Sequence, residues 1–409
     1  MATRKNQGPA SPLREKEDSP FTPGSPVPLE LFVGRSEQIE QLMRHARQAR
    51  SGRPEHVFLS GDRGIGKSSL AHFVRELCSK DQSMLGIHVF LGGVTTLEEL
   101  VRRVFDRLLK ESHTESWFEK IRGLFGDFIE NVGLFGVSVA FSPPKGQLQA
   151  LVRDFPTAVA NVFEKIRPEK SGLVIVLDDI NGLAEQSVFA NWYKSFADSV
   201  ATQERKFPVL WMLCGLPERR DSLSNLQPSL MRIFRPVEIE KLGDDEVAQF
   251  LRDAFRRCNM EVQPVAITRM VYFSSGWPTL MHEIGDATYR VDTDGVVDML
   301  DAIGGISRAA ENVGQKYLDP RVYRAIRSER YRAILRKLVS RPMRVTFSKG
   351  QIEGRLDESE KKVLQNFLKR MRELGVIEPD TERARGHYRF VNRIYPAYIL
   401  VQSQPMRGR

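Results

Sequence analysis

The stretch HVFLSGDRGIGKSSLAHFV, residues 56–74, decides the fold class. Its first five residues form a short β-rich run. From Lys67 onward, Leu70, Phe73, Val74 and Leu77 recur at helical spacing. The loop between them matches G-x-x-x-x-G-K-[ST] as Gly61, Gly66, Lys67 and Ser68. Glycines let backbone N–H groups wrap closely around anionic oxygens, and a helix amino terminus adds a favourable dipole. Strand, glycine loop and helix in this order make a phosphate cradle, the P-loop. The pattern predicts that Lys67 reaches the β- and γ-phosphates of ATP and that the Ser68 hydroxyl holds Mg²⁺. The expected nucleotide contacts run through Gly61, Asp62, Arg63, Gly64, Ile65, Gly66, Lys67, Ser68 and Ser69.

A P-loop also needs an acid for the metal, expected on a neighbouring strand. GLVIVLDDINGL, residues 172–183, supplies it. The unbroken apolar run Leu173 to Leu177 reads as a strand buried on both faces of a parallel sheet. Asp178 is then placed to hold Mg²⁺, directly or through water, and Asp179 to orient or deprotonate the attacking water. Strands that alternate with helical segments complete an α/β expectation: a parallel sheet with helices on both faces.

The rest of the composition bounds the function. A chain of 409 residues with 41% hydrophobic content holds two or three domains with ordinary cores. Three cysteines, Cys78, Cys214 and Cys258, show no paired spacing. That argues against a disulfide framework or a zinc site and fits a reducing, cytoplasmic setting. No signal peptide is visible, and the run at 132–141 is about half of what a membrane span needs. The first 28 residues contain six prolines and few large apolar side chains, so they read as a disordered leader.

Charge is unevenly placed. Residues 321–409 carry 22 Lys plus Arg against 9 Asp plus Glu, a balance of +13 in a chain whose total is +9. Such a segment is either a well-solvated surface or a site for a polyanion. Within it, ESEKKVLQNFLKRMRELG (residues 358–375) predicts a helix that buries Val363, Leu364, Phe367, Leu368, Met371 and Leu374, capped by Gly375. Lys361, Lys362, Lys369, Arg370 and Arg372 are left for its outer face, and Arg383, Arg385 and Arg389 for a following wing. A helix-turn-helix arrangement with such residues would engage duplex DNA through phosphates.

Together these motifs resemble the AAA+ and STAND-type P-loop ATPases, the archaeal-type ATPases in particular, over roughly residues 30–400. LFVGRSEQIEQL (31–42) resembles the segment that opens many of them and lies against adenine, which implicates Val33, Gly34 and Arg35. GWPTL (276–280) resembles the G-x-P element of their helical lid, which implicates Pro278, and HYRFVNRIYPAYI (387–399) resembles the end of a winged helix. The resemblance implies a disordered leader at 1–29, an ATPase core at 30–241 with an insertion near 110–147, a lid at 242–317, a winged helix at 318–402 and a tail. In the insertion, WFEKIRGLFGDFIENVG is expected to be helical and FGVSVAFS a strand. It also implies that Arg232 or Arg235 acts on a γ-phosphate. The family mostly has Asp-Glu where this chain has Asp178-Asp179. A carboxylate shorter by one bond, about 1.5 Å, holds water less firmly and suits slow hydrolysis. The polar sensor that follows the next strand falls near Cys214–Gly215 and cannot be assigned.

Three functions follow as expectations. The first is an ATP-dependent switch with a winged-helix output and a homo-oligomer or partner protein. The second is a DNA-acting ATPase similar to origin-recognition or transposition-regulating ones. The third is a DNA-binding module that holds nucleotide without turnover.

Overall fold

Runs of β-branched and aromatic residues build the sheet that carries the P-loop. The computed structural model describes residues 18–111, 123–124, 126–131, 139–202, 207–326, 328–339 and 344–403. It divides into two units, Gly34–Glu240 and Lys241–Arg409 joined by the segment before Gly34.

In the Gly34–Glu240 unit, helix α1 (Ser36–Arg50) leads into β1 (Glu55–Ser60), α2 (Lys67–Gln82), β2 (Leu85–Phe90) and α3 (Leu97–Lys110). A short hairpin, β3 (Ile129–Asn131) with β4 (Val139–Phe141), precedes α4 (Lys145–Arg153) and α5 (Phe155–Ile166). Then come β5 (Leu173–Asp178), α6 (Ser187–Thr202), β6 (Val209–Gly215), α7 (Pro217–Leu226), α8 (Leu230–Ile233) and β7 (Phe234–Glu238). The five-stranded sheet has the order β2-β5-β6-β1-β7, parallel throughout. Helices flank it, as expected. All residues of β5 and β6 are buried, which is why their sequences are continuous rather than alternating apolar runs.

Two expectations need correction here. The acidic strand β5 is not next to β1, because β6 lies between them. In the insertion, the strand expected within FGVSVAFS is present at Val139–Phe141, but the expected helix does not extend through its far end. Gly126–Phe128 forms a 3-10 turn and Ile129–Asn131 pairs with β4. Phe141 supplies the reason, since it is fully buried against Phe105 at 5.3 Å and Phe128 at 6.1 Å. Residues 112–122 and 132–138 lie outside the described residues.

In the second unit, α9 (Asp244–Arg257) buries Val247, Phe250, Leu251 and Phe255, and the Glu246 carboxylate accepts from the Gly243 N–H at 2.8 Å at the helix start. Helices α10 (Pro264–Ser274), α11 (Pro278–Val291) and α12 (Met299–Val313) follow, with a two-stranded pair, β8 (Glu261–Val262) and β9 (Val296–Val297), beside them. The expected boundary at 317–318 is not a break in packing. A π-helical stretch continues over Gly314–Tyr323, and Leu318 and Val322 join the core that runs on into the last segment.

That segment comprises α13 (Glu329–Leu338), β10 (Thr346–Ser348), α14 (Lys349–Glu353), α15 (Glu358–Lys361), α16 (Leu364–Glu373), β11 (Ile377–Pro379), β12 (His387–Phe390) and α17 (Tyr395–Ser403). Its antiparallel sheet has β12 at the centre, between β10 and β11. The single expected helix at 358–375 is interrupted between Lys361 and Leu364. Leu364, Phe367, Leu368 and Met371 are buried as expected, whereas Val363 and Leu374 are only half-buried. Gly375, at φ +67, ends the helix in the left-handed conformation that glycine tolerates.

The expected leader at 1–29 is also corrected for the part described. Phe21 is 3% exposed and meets Phe255 edge-to-face at 5.0 Å and Phe250 at 5.8 Å. Beside it, the Thr22 N–H donates to His282 Nδ1 at 3.0 Å. Burial pushes the His282 pKa down to about 4, so at neutral pH this nitrogen keeps the lone pair that the bond needs. Burying one phenyl ring anchors an otherwise Pro-rich strap.

Candidate nucleotide site

The phosphate loop begins where β1 ends. Gly61 has no room for a side chain, since a Cβ there would lie 2.8 Å from the Ile239 carbonyl oxygen. Gly66, at φ +97, turns the chain into α2 in a conformation that residues with side chains avoid. Helix α2 therefore starts at Lys67 with no side-chain cap, so its dipole faces the loop. The Lys67 ammonium donates to the Gly61 carbonyl at 2.7 Å and the Asp62 carbonyl at 2.8 Å, folded over the loop it serves. Burial lowers its pKa, while the carboxylates of Asp178, Asp62 and Asp179 oppose that shift in decreasing order. Lys67 thus shares one electrostatic neighbourhood with both aspartates.

Arg35 is buried, sits at φ +60 and directs its guanidinium to the Ile65 carbonyl of the loop. Of the expected opening segment, Arg35 is accordingly joined to the P-loop, and Gly34 precedes it in the same unit. Val33 belongs to the other unit, packed against that unit's core.

Asp178 ends β5 and is buried, in register with Phe90 on one side and Cys214 on the other. Its Oδ2 accepts from His88 Nε2 at 2.9 Å. An ionised carboxylate only accepts, so Nε2 carries the proton, and Oδ1 remains for a metal or its water. The His88 ring is stacked on Phe90, with centroids 4.6 Å apart. Cys214 is fully buried, and burial raises its thiol pKa well above the ordinary range, with Asp178 adding to the shift. It is a neutral spacer between the lysine and the acid.

Asp179 is exposed and held at φ +60, so its side chain leaves the strand in a different direction from Asp178. Asn181 Nδ2 donates to Asp179 Oδ1, and the Leu216 N–H donates to Asn181 Oδ1 at 3.1 Å. The residues present fit a Mg·nucleotide: a glycine cradle that a Cβ would fill, one cation over the loop, Ser68 in the first turn of α2, and two carboxylates of different exposure.

The expected arginines fall elsewhere. Arg232 is exposed on α8, and Arg235 is exposed on the edge strand β7, level with Val57. Its guanidinium lies 3.8 Å from Glu55, which opens β1 five residues or about 17 Å before the strand end that bears the loop. In its own chain, Arg235 thus lies toward the opposite end of β1 from the loop. We therefore expect Arg235→Ala to leave ATP affinity of the single chain within about two-fold, since a charge this far off is largely screened. If the residue serves a neighbouring copy, wild-type activity per chain rises with concentration and that rise is lost in the variant. Activity that stays flat through assembly removes Arg235 from the mechanism and leaves Arg232 in cis or out of it.

Pro278 opens α11 after Gly276 and Trp277. Gly276, at φ +73, packs where a Cβ would sit 2.4 Å from the Leu242 carbonyl oxygen, and Lys241 lies 5.3 Å above the Trp277 ring. Within this unit the element thus secures the entry to α11.

Of the eight cations expected on the outer face and wing, four are engaged: Lys361 with Glu358, Arg370 with Glu373, Arg383 with Asp380 and Arg389 with Glu378. Lys362, Lys369 and Arg385 are exposed and have no ion-pair partner among the described residues.

Fold and loop together define a P-loop nucleoside-triphosphatase architecture. Residues 31–211 match the family described as AAA ATPase domain. The Walker-type ATPase of Pyrococcus abyssi is similar in structure, with TM-score 0.55 and 17% identity over 90% of this chain and 96% of that one. The ORC2 protein of Aeropyrum pernix, in its ADPNP–ADP complexes, has TM-score 0.57 and 12% identity over 95% and 97%. At such identities the likeness is one of fold. Among curated proteins no sequence matches. No helix among the described residues is long and apolar enough to cross a membrane.

Proposed function

We propose that this chain is an ATP-binding, slowly hydrolysing molecular switch of the AAA+ or STAND type, with a winged-helix output domain at its carboxy terminus. The observation that carries this reading is the parallel register that sets Asp178, at the end of β5, level with the end of β1 that leads into the Gly61–Ser68 loop, across Cys214 of β6. Lys67 would leave the Gly61 and Asp62 carbonyls to neutralise the β- and γ-phosphates. Mg²⁺ would supply neutralisation of the phosphate charge. Ser68 and the free oxygen of Asp178 would hold that ion. Asp179, exposed and turned out of the strand, would orient the attacking water and accept its proton. The α9–α12 helices would serve as the lid. The test is turnover and oligomeric state of the full-length chain with and without Mg·ATP. A switch predicts slow hydrolysis together with a nucleotide-dependent change in assembly or hydrodynamic size.

A second reading, a DNA-acting ATPase, is favoured by Lys362, Lys369 and Arg385. The four engaged cations add to them, because exposed ion pairs are worth little and exchange readily for phosphate. If six or more phosphates are contacted, duplex affinity of the full-length protein should fall by about 10³-fold or more between 50 and 200 mM salt. Charge reversal at Lys362, Lys369 and Arg385 together should weaken binding to all sequences alike, as phosphate contacts carry no base information. Absence of binding at 50 mM salt removes this reading and leaves the winged helix as an internal latch. A chain that binds nucleotide and DNA but never turns ATP over would be the third possibility, a DNA-binding module.

A further inference from the structure

The end of β6 reads Cys214, Gly215, Leu216 and offers no strong side-chain hydrogen-bonding group to the nucleotide site. Its backbone reaches the site by another route. The Leu216 N–H donates to Asn181 Oδ1 at 3.1 Å, and Asn181 Nδ2 donates to the Asp179 carboxylate. The orientation of this amide is settled by chemistry. A backbone N–H must meet the oxygen, and an ionised carboxylate must meet the NH₂. The other oxygen of Asp179 is close to the loop after β2, where a Cβ added at Gly92 would lie 3.1 Å from Oδ2. The left-handed backbone at Asp179 and the tight turn Ile180–Gly182 bring Asn181 back into reach.

We propose that Asn181 is a positioning residue for the hydrolytic step. It fixes the Asp179 carboxylate by tying it, through one amide, to the backbone just after β6. This inference rests on the proposed role of Asp179, which it deepens. A short exposed acid turns about χ1 and χ2 unless a donor restrains it, and Asn181 supplies that donor. A purely structural role would need only the oxygen side of the amide, which staples the turn to β6. A positioning role needs the nitrogen side as well.

Asn181→Asp separates the two, because it keeps an acceptor for Leu216 and replaces the donor with a like charge beside Asp179. In the full-length protein, Asn181→Asp should lower kcat by about ten- to a hundred-fold, the range for a hydrogen bond to a charged group, with KM for Mg·ATP within about three-fold. Its melting temperature should stay that of the wild type. In an Asp179→Asn background it should cost nothing further, since the two residues act as one unit. Wild-type kcat in Asn181→Asp, or a full additional loss in the double variant, overturns the proposal. A second readout stands apart from turnover. Wild type should bind Mg·ADP with aluminium fluoride, a mimic of the transferred phosphoryl group and its water, more tightly than Mg·ADP alone, and Asn181→Asp should lose that gain. Equal gains in both proteins overturn the proposal even if wild type proves not to hydrolyse ATP, an outcome that would by itself remove only the hydrolytic reading.

Discussion

Lys67→Ala is expected to lower ATP affinity by about 100-fold or more while leaving the fold intact. The ammonium is folded over the phosphate loop, held by the Gly61 and Asp62 carbonyls. A charge-assisted hydrogen bond contributes roughly 1.5–3 kcal/mol, and Lys67 would make at least one each to the β- and γ-phosphates. Its place in the native chain is half-buried, and its contacts there are to carbonyls that solvent can satisfy. Truncation should therefore cost binding far more than stability. Isothermal titration with Mg·ATP, alongside thermal melting, measures both. Wild-type affinity in a variant of unchanged melting temperature would remove the loop from the site.

Asp179→Asn should retain Mg·ATP binding and lose hydrolysis by about 10²–10⁴-fold, the usual contribution of a positioned general base. The amide keeps the size of the side chain but cannot accept a proton. Asp178→Ala should behave differently, weakening the response to Mg²⁺ and leaving His88 without its acceptor in a buried site. Nucleotide binding measured across a Mg²⁺ titration distinguishes the two aspartates. Unchanged hydrolysis in Asp179→Asn would assign the water to another group.

The parts of this site that were legible in the sequence are those encoded by local spacing. Gly61 to Ser68 needs a strand, a loop and a helix in sequence, and each announces itself within a few residues. Asp178 and Asp179 follow an apolar run whose continuity already implies burial on both faces. What was not legible depends on register across the sheet. His88 reaches Asp178 because β2 pairs with β5, and Asn181 reaches Leu216 because β5 pairs with β6. Single-residue periodicity carries no trace of either. Phe21 was missed for a related reason: one aromatic in a Pro-rich run has no pattern, and its partners Phe250, Phe255 and His282 lie over 200 residues away. The interruption between Lys361 and Leu364 was hidden by good helical spacing on both sides. In the charge pattern, the excess of Lys and Arg was plain, whereas the ion pairs that engage four of the expected cations required the fold.

The central claim is that this chain binds ATP through the Gly61–Ser68 loop and hydrolyses it with Asp179. Its most direct test is a single-turnover assay of full-length protein in excess over γ-labelled ATP, with Mg²⁺, beside Asp179→Asn. The account predicts slow release of labelled phosphate by wild type and retention of intact ATP by the variant. Equal phosphate release by the two proteins would contradict it.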